Sequence, residues 1–276
     1  MKSQTRTLRG TRGRTIVYDV HEPDGDAVGV VFLVHGLGEH AGRYTAVVRR
    51  LTDAGYLVVA PDHAGHGRST GTPRDVHDFS DFTDDLGRVI SAVGTGGLPV
   101  FLLGHSMGGA IALSYTLDHQ DQVDGLVLSG PALVPGEDMP PLLVVAAPIV
   151  GRLLPRMPSA DLSAAALSRD PEVVAAYEAD PLVWHGKIPA GLGGALVAEM
   201  NTFPDRLPSL RIPVLALHGG DDALANPAGS RSVDELAGGD DVTVRIYPGL
   251  YHEIFNEPEG DQIVGEVVDW LQAHTR

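Results

Sequence analysis

The 276-residue sequence contains no cysteine and few basic residues. Without cysteine, disulfides and thiolate chemistry are excluded. Lys and Arg number 20 against 36 Asp and Glu, which gives a formal net charge of -16 at pH 7. This charge argues against nucleic acid as a partner, because affinity for phosphates comes largely from Lys and Arg. It also disfavours purely electrostatic docking on anionic membranes.

The sequence also lacks the features of a secretory or membrane-spanning segment. Residues 1–14 are polar and basic and contain no apolar core of a signal peptide. We therefore expect a cytoplasmic protein. A chain of this length fits one large α/β domain with an insertion better than two independent domains.

The stretch around which the sequence is organised is Gly104-His105-Ser106-Met107-Gly108. It follows an apolar strand pattern at residues 100–103 and precedes a helical pattern at residues 110–117. Glycines two residues to either side of Ser106 allow a sharp turn, and the following helix directs free N–H groups toward negative charge at the serine. This G-x-S-x-G arrangement is typical of a nucleophile elbow, so we predict Ser106 as the nucleophile.

Apolar strand patterns alternate with amphipathic helical patterns along most of the chain. This alternation predicts an α/β fold with a mostly parallel sheet and helices on both faces. A further alternating pattern at residues 15–20 predicts an edge strand. Two predicted strands, at residues 28–34 and 56–60, are expected to be buried, and further strands are predicted at residues 100–103, 123–128, 212–217 and 242–247. The predicted helices cover residues 44–54, 79–93, 110–117 and 230–236, with a last helix ending near residue 271.

The alternation is interrupted between residues 131 and 208, which are rich in proline and apolar residues and show no clear strand pattern. We therefore predict an α/β core formed by residues 1–130 and 209–276. Residues 131–208, called the cap segment below, are predicted to form a helical cap inserted between two late strands. Such a cap would cover the carboxyl ends of the strands, where ligands bind in sheets of this kind.

A nucleophilic serine needs a base that is held in place by a carboxylate. Asp222 follows one late strand pattern and His252 follows the last, so both are expected at the same sheet edge as Ser106, in the chain order of an α/β-hydrolase. Twelve histidines compete for the role of base. His252 is favoured because its loop follows the final strand and can reach the serine. Asp221 is the alternative carboxylate, and we expect it to brace the turn instead.

Two backbone N–H groups must stabilise the oxyanion that forms when a serine attacks an ester. Met107, directly after the nucleophile, supplies one of them. The sequence His-Gly-Leu-Gly at residues 35–38 forms a turn after the strand pattern at 28–34 and places Leu37 opposite the elbow. We therefore predict the main-chain N–H groups of Leu37 and Met107 as oxyanion donors.

Five motifs occur in the order found in one known family. They are residues 35–44 (HGLGEHAGRY), 62–69 (DHAGHGRS), 104–109 (GHSMGG), 218–222 (HGGDD) and 247–253 (YPGLYHE). With these motifs the sequence resembles the α/β-hydrolase superfamily and, within it, the bacterial monoacylglycerol lipases of the lysophospholipase-like branch. The resemblance implies the catalytic residues and oxyanion donors already predicted. It also implies that Glu39 and His40 lie near the mouth of the site and face the glycerol end of the substrate.

Residues 139–154 form the most apolar part of the chain, but prolines and Arg152 interrupt it, and it is too short for a transmembrane helix. One interpretation is a cap helix packed on the core. The other is a helix whose apolar face lines the site of an acyl chain and contacts lipid surfaces. The second interpretation predicts substrate contacts from four side chains, namely Leu142, Leu143, Val145 and Ile149.

These features predict a serine hydrolase that cleaves monoacylglycerols to fatty acid and glycerol through an acyl-enzyme on Ser106. A carboxylesterase, a lysophospholipase, a cofactor-free haloperoxidase and a proline iminopeptidase keep the serine and remain alternatives. Epoxide hydrolases and haloalkane dehalogenases need a carboxylate at the elbow and are excluded. A non-catalytic binding protein of the same fold is the alternative from a different class.

No cofactor or metal is expected, because the triad and the oxyanion donors suffice for ester hydrolysis and no His/Asp cluster has metal-ligand spacing. The expected partner is a small lipid substrate. We also expect transient contact between the cap segment and a lipid surface, so the cytoplasmic protein would associate peripherally with membranes.

Overall fold

The computed structural model describes residues 1–76, 78–136 and 139–275 of the chain. Its strands are β1 (Lys2–Arg9), β2 (Thr15–Glu22), β3 (Gly29–Val34), β4 (Tyr56–Pro61), β5 (Val100–His105), β6 (Gly125–Ser129), β7 (Val214–Gly219) and β8 (Val242–Tyr247). In the described residues they form one eight-stranded sheet in the order β1-β2-β4-β3-β5-β6-β7-β8. Strands β3 to β8 pair in parallel, whereas β2 pairs antiparallel with β1 and β4. The predicted mostly parallel sheet is therefore confirmed.

Helices cover both faces of this sheet. They are α1 (Thr45–Asp53), α2 (Ser80–Val93), α3 (Met107–Asp118), α4 (Pro141–Leu153), α5 (Pro171–Ala179), α6 (Ala190–Met200), α7 (Phe203–Arg206), α8 (Ala228–Leu236) and α9 (Gly260–His274). Along β3, Val31 and Leu33 belong to the buried cluster that contains α1 and α9, whereas Phe32 belongs to the cluster that contains α2, α3 and α8. Because successive side chains of a strand point to opposite faces, a continuous apolar strand supplies both cores.

The prediction of an edge strand at residues 15–20 is wrong. Strand β2 lies between β1 and β4, and β1 forms the edge of the sheet. The side chains of β1 are almost all exposed, so its sequence shows no alternation of apolar and polar residues. A strand that buries no face leaves no periodic signal to find.

The described part of the cap segment, between β6 and β7, contains α4 to α7 and an isolated bridge between Pro158 and Pro189. Helices α4 and α6 cross in close backbone contact at two glycines. A Cβ atom at Gly151 would lie 2.4 Å from the Ala190 carbonyl oxygen, and one at Gly194 would lie 2.5 Å from the Ala147 carbonyl oxygen. Among the helices of the described residues, none is both long and apolar enough to span a bilayer.

Candidate active site

Ser106 occupies the sharp turn between β5 and α3. Its backbone has φ 54° and ψ -121°, in a region that residues with a side chain rarely adopt. The turn needs glycine on both sides, since a Cβ at Gly104 would lie 2.4 Å from the Gly108 carbonyl oxygen and one at Gly108 would lie 2.0 Å from that of Val34. Strain of this kind, about 1–3 kcal/mol, persists only where the surroundings enforce it and is typical of functional sites.

His252 and Asp222 lie together at the carboxyl ends of β8 and β7. The His252 Nδ1 atom is 2.7 Å from Asp222 Oδ2, and both side chains are buried. A carboxylate can only accept, so Nδ1 carries the proton and Nε2 is left as an acceptor. Asp221 is not part of this pair: its backbone N–H donates to the Leu250 carbonyl, and its side chain is exposed.

Four donors hold the Asp222 carboxylate. The backbone N–H groups of Leu224 and Ala225 donate to Oδ1 at 2.8 and 2.9 Å. On the other side, Oδ2 accepts from His252 and lies 3.0 Å from Nε2 of the fully buried His218. His218 could not be assigned this contact with Asp222 from the sequence, because its position at the end of a strand does not reveal which side chain it meets.

Burial and neighbouring charges shift the pKa values of His252, Asp222 and the nearby His105. Burial would lower the pKa of His252, but the charge and hydrogen bond of Asp222 raise it above the usual value, and the charge of Glu253 adds to this effect. Burial would raise the pKa of Asp222, but the charge of His252 and hydrogen bonds from His218 and His252 hold it far below the usual range. Burial, together with the nearby His252, lowers the pKa of His105 to about 4. The rings of His105 and His252 are 4.7 Å apart between centroids.

A small cavity of about 130 Å³ brings two of the three predicted catalytic residues together with the predicted oxyanion donors. Its lining includes Ser106, His252, Leu37 and Met107. Met107 is the first residue of α3, and the first N–H groups of a helix have no acceptor within it. The cavity therefore has a serine, an imidazole and the two predicted N–H positions on its walls.

Glu39 lines the same cavity, but its carboxylate is already engaged by the protein. Oε1 accepts from the Gly36 N–H and from the Tyr44 hydroxyl, each at 2.6 Å, and Oε2 accepts from Arg43 at 2.8 Å. Burial would raise the pKa of Glu39, but Arg43 and these hydrogen bonds lower it. His40 instead contacts the cap segment, with Nε2 2.9 Å from Asp180 Oδ2.

A larger cavity of about 600 Å³ is lined mostly by residues of the cap segment, and its volume is within the size range of small-molecule sites. It shares six lining residues with the small cavity, namely Ala132, Leu162, Ile188, Leu196, Met200 and Leu224. Of the four predicted side chains of α4, Leu143 lines this cavity. The other three do not line it in this structure: Leu142, Val145 and Ile149 are 79%, 68% and 59% exposed.

Two further residues contribute to the small cavity without having been predicted from the sequence. Tyr177 of α5 lines it, and the Arg43 guanidinium lies 4.9 Å from the centre of the Tyr177 ring. Glu253, next to His252, also lines it and binds Arg43. Tyr177 reaches the site from the cap segment without a local sequence signal, whereas Glu253 lies beside His252 and only its contact with Arg43 has no signal in the sequence. No group of three or more His, Asp or Glu in the described residues could hold a metal ion.

The strand order, the serine on its strained turn and the buried Asp222–His252 pair define an α/β-hydrolase. The chain belongs to the hydrolase family described as serine aminopeptidase S33, whose family model matches residues 25–259. It is 45% identical to the monoacylglycerol lipase of Mycolicibacterium smegmatis over 279 residues, which cover 99% of this chain and 100% of that protein. It is 35% identical to the monoglyceride lipase of Homo sapiens, with 92% of this chain and 86% of that protein covered. The crystal structure of the Paleococcus ferrophilus monoacylglycerol lipase is similar with a TM-score of 0.83 and 34% identity, and covers 92% of this chain and 98% of that one.

Proposed function

We propose that this protein is a serine hydrolase that cleaves monoacylglycerols to a fatty acid and glycerol. The observation that carries the proposal is that a small cavity lined by Ser106 and His252 adjoins a larger cavity lined mainly by apolar side chains. An amphiphile with one acyl chain matches this division. The similarity to monoacylglycerol lipases over nearly the whole chain supports the same substrate class.

In the proposed mechanism, Asp222 holds His252 as the Nδ1–H tautomer so that Nε2 can take the proton from Ser106. The serine oxygen then attacks the ester carbonyl carbon. The oxyanion that forms is stabilised by the N–H groups of Leu37 and Met107. His252 returns the proton to the leaving glycerol oxygen, and water, activated by the same imidazole, releases the fatty acid from the acyl-enzyme.

We place the acyl chain in the larger cavity, against Leu143 and the other apolar side chains of the cap segment. The glycerol end would then face Glu39 and Arg43 in the small cavity. Residues 131–208 would act as the cap over both cavities. These assignments follow the division between apolar and charged walls.

The exposed side of α4 supports peripheral contact with lipid. Leu142, Val145 and Ile149 point away from the cavity that Leu143 lines, so one helix presents apolar side chains both to the substrate site and to solvent. An exposed apolar face beside a site for a lipid is typical of an interfacial helix. We propose that this face contacts the surface from which the substrate enters.

A carboxylesterase and a lysophospholipase would use the same machinery and are separated from the proposal by substrate preference alone. An aminopeptidase, which the family description names, would need a free carboxylate for the substrate amine. Both carboxylates that line the small cavity, Glu39 and Glu253, are bound by Arg43, which argues against this activity.

The test has two parts. A fluorophosphonate probe should label the wild type, and Ser106→Ala should abolish the labelling, whereas an unlabelled wild type would support a non-catalytic binding protein. Turnover should then be compared on mono-, di- and triacylglycerols, a lysophospholipid, p-nitrophenyl acetate and proline p-nitroanilide. Monoacylglycerols with C10 to C18 chains should be preferred. A preference for the acetate or the anilide would contradict the proposed substrate.

A further inference from the structure

We propose that His35 is a positioning residue that orients the Leu37 N–H toward the oxyanion. The inference rests on the proposed function, in which Leu37 is one of the two oxyanion donors. His35 is fully buried at the end of β3 and lines neither cavity described above. Its effect on the reaction would therefore pass through the peptide bond between Gly36 and Leu37.

The contact that carries the inference joins the His35 Nδ1 atom to the Gly36 carbonyl oxygen at 2.8 Å. This carbonyl and the Leu37 N–H belong to the same peptide unit. In a trans peptide the C=O and N–H bonds point in opposite directions. A hydrogen bond that holds the Gly36 carbonyl on one side therefore holds the Leu37 N–H on the other. A flipped peptide would present the carbonyl oxygen to the oxyanion and repel it.

The tautomer of His35 follows from its two partners. The Gly36 carbonyl oxygen can only accept, so Nδ1 must carry the proton. The His63 backbone N–H can only donate, and it lies 2.9 Å from His35 Nε2, so Nε2 must be the acceptor. The His63 ring reciprocates, because its Nε2 atom lies 3.0 Å from the His35 carbonyl oxygen. The loop after β4 thus fixes which nitrogen of His35 faces Gly36.

Gly36 is held from its other side as well. Its N–H donates to Glu39 Oε1 at 2.6 Å, while its carbonyl accepts from His35. The space around it leaves no room for adjustment, since a Cβ at Gly36 would lie 2.8 Å from that carboxylate oxygen and 3.1 Å from the Ser106 Cβ. Glu39 therefore holds the peptide unit before Gly36, His35 holds the carbonyl of the unit that presents the Leu37 N–H, and Gly36 between them lies directly against the nucleophile.

The surroundings keep His35 neutral, which its acceptor role requires. Burial lowers the pKa of His35 well below its usual value, and the neighbouring His66, His40 and His105 add to this effect. The His63 ring also faces it, with ring centroids 4.1 Å apart. The Nε2 lone pair is thus available to the His63 N–H at any pH at which His252 can act as a base.

Two substitutions separate the contacts of His35. In His35→Asn the side-chain amide can reach the place of Nδ1 and donate to the Gly36 carbonyl. In His35→Gln the amide oxygen can take the place of Nε2 and accept from His63, but no donor faces Gly36. We expect His35→Gln to lower kcat on p-nitrophenyl butyrate by about 10- to 100-fold, since losing one oxyanion donor costs about 100- to 1000-fold. His35→Asn should restore most of this loss.

Affinity for a trifluoromethyl ketone, which forms an oxyanion with the serine, is the measurement that separates the positioning role from a purely structural one. A purely structural role of His35 would leave this affinity unchanged. In His35→Gln this affinity should fall in parallel with kcat, while KM changes little. His66→Gln is the matched control. His66 belongs to the same buried group of histidines, but its Nδ1 atom contacts the Ala64 carbonyl and not Gly36. It should lower Tm without lowering kcat.

Wild-type kcat in His35→Gln, or equal losses in the Asn and Gln variants, would overturn the inference. If His35→Gln does not fold, the ¹⁵N chemical shifts of His35 in the wild type still decide the matter, because they must correspond to the Nδ1–H tautomer and an Nε2–H tautomer would refute it. Phosphonylation of wild-type Ser106 tests the proposed function separately, so an active wild type with a negative result for His35 refutes only the positioning role.

Discussion

Arg43 donates hydrogen bonds to both oxygens of the Glu253 carboxylate, with Nη1 2.5 Å from Oε1 and Nη2 2.8 Å from Oε2. Arg43 follows the loop that carries Leu37, and Glu253 directly follows His252. The same guanidinium also binds Glu39. One buried cation therefore links the proposed oxyanion loop to the loop of the proposed base, so these two parts of the site are held at a set distance.

The charge of Glu253 should be visible in the pH dependence of activity. His252 acts as a base when neutral, so activity falls as pH drops through its pKa, and Asp222 and Glu253 raise this pKa after the opposing effect of burial. Glu253→Gln removes one negative charge, which lowers the pKa of His252. The acid limb of kcat/KM should therefore move to lower pH. Loss of the charged hydrogen bonds should also lower the free energy of unfolding by roughly 1–3 kcal/mol.

Glu257→Gln is the control for this experiment. Glu257 is also a buried carboxylate bound to an arginine, Arg169, and it accepts from the Tyr251 N–H, but it is not among the groups that raise the pKa of His252. It should lower stability to a similar extent and leave the acid limb in place. An unchanged limb in Glu253→Gln, or equal shifts in both variants, would show that the charge of Glu253 does not raise the pKa of His252.

The elbow should not tolerate a methyl group at Gly108. A Cβ there would lie 2.0 Å from the Val34 carbonyl oxygen and 2.4 Å from that of His35, so α3 would have to move away from β3. We expect a loss of about 3 kcal/mol or more of unfolding free energy. Because a displacement of about 1 Å can cost about 100-fold in rate, kcat should fall at least that far even where the variant folds.

Gly265→Ala serves as the comparison. Gly265 lies inside α9, and a Cβ there would meet only the end of the flexible Arg50 side chain, at 3.4 Å. Alanine favours the helix by about 0.8–1.0 kcal/mol over glycine, so this variant should have a higher Tm and unchanged turnover. Denaturant unfolding and kcat on p-nitrophenyl butyrate measure both variants. A stable and active Gly108→Ala would contradict the steric explanation of the elbow.

The core of the site was predictable because its residues lie at the ends of parallel strands. Ser106, Asp222 and His252 each follow a strand, and parallel strands bring their carboxyl ends to one edge of the sheet. Recognising strands and their order was therefore enough to place Asp222 and His252 beside each other. The roles of these residues in catalysis stay predictions that the probe and variant experiments address.

Contacts that depend on how a helix is rotated about its axis, or that join residues far apart in the sequence, could not be predicted in this way. Apolar residues lie on all sides of α4, so the sequence does not tell which side faces the cavity. Three of the four side chains predicted to contact the substrate face solvent instead. Glu253 meets Arg43 across 210 residues of sequence, and no spacing rule connects them. The edge strand β1 was missed because almost all of its side chains are exposed.

The crossing of α4 and α6 should depend on Gly194 and not on its neighbour Gly193. A Cβ at Gly194 would lie 2.5 Å from the Ala147 carbonyl oxygen, whereas one at Gly193 would meet the Ile188 side chain at an ordinary 3.5 Å. Gly194→Ala should cost about 1–3 kcal/mol by forcing the helices apart. Gly193→Ala should instead leave Tm unchanged or raise it.

Both glycines line the larger cavity, so the pair also tests where the acyl chain binds. With the helices displaced, Gly194→Ala should lose more turnover on a C18 monoacylglycerol than on p-nitrophenyl acetate, which does not fill that cavity. Calorimetry and the two substrates, run side by side, give the comparison. Equal losses on the long and the short substrate would mean that the acyl chain lies elsewhere.

The outer side of α4 should bind lipid surfaces through apolar contact and not through charge. The triple variant Leu142→Ser, Val145→Ser and Ile149→Ser removes exposed apolar side chains without touching the cavity lining. Burying such a side chain contributes about 1.5–3 kcal/mol, so even partial insertion predicts at least a tenfold loss of binding to phosphatidylcholine vesicles in sedimentation. Binding by the wild type should change little between low and high salt, because a protein of net charge -16 gains nothing from the vesicle surface electrostatically.

Hydrolysis of monoolein presented in the vesicles should fall with binding in the triple variant, while hydrolysis of dissolved p-nitrophenyl acetate should stay as in the wild type. Val28→Ser, which changes an exposed apolar residue outside the cap segment, should leave vesicle binding and monoolein hydrolysis unchanged. If the triple variant sediments with vesicles as the wild type does, the lipid-facing role of this helix is refuted.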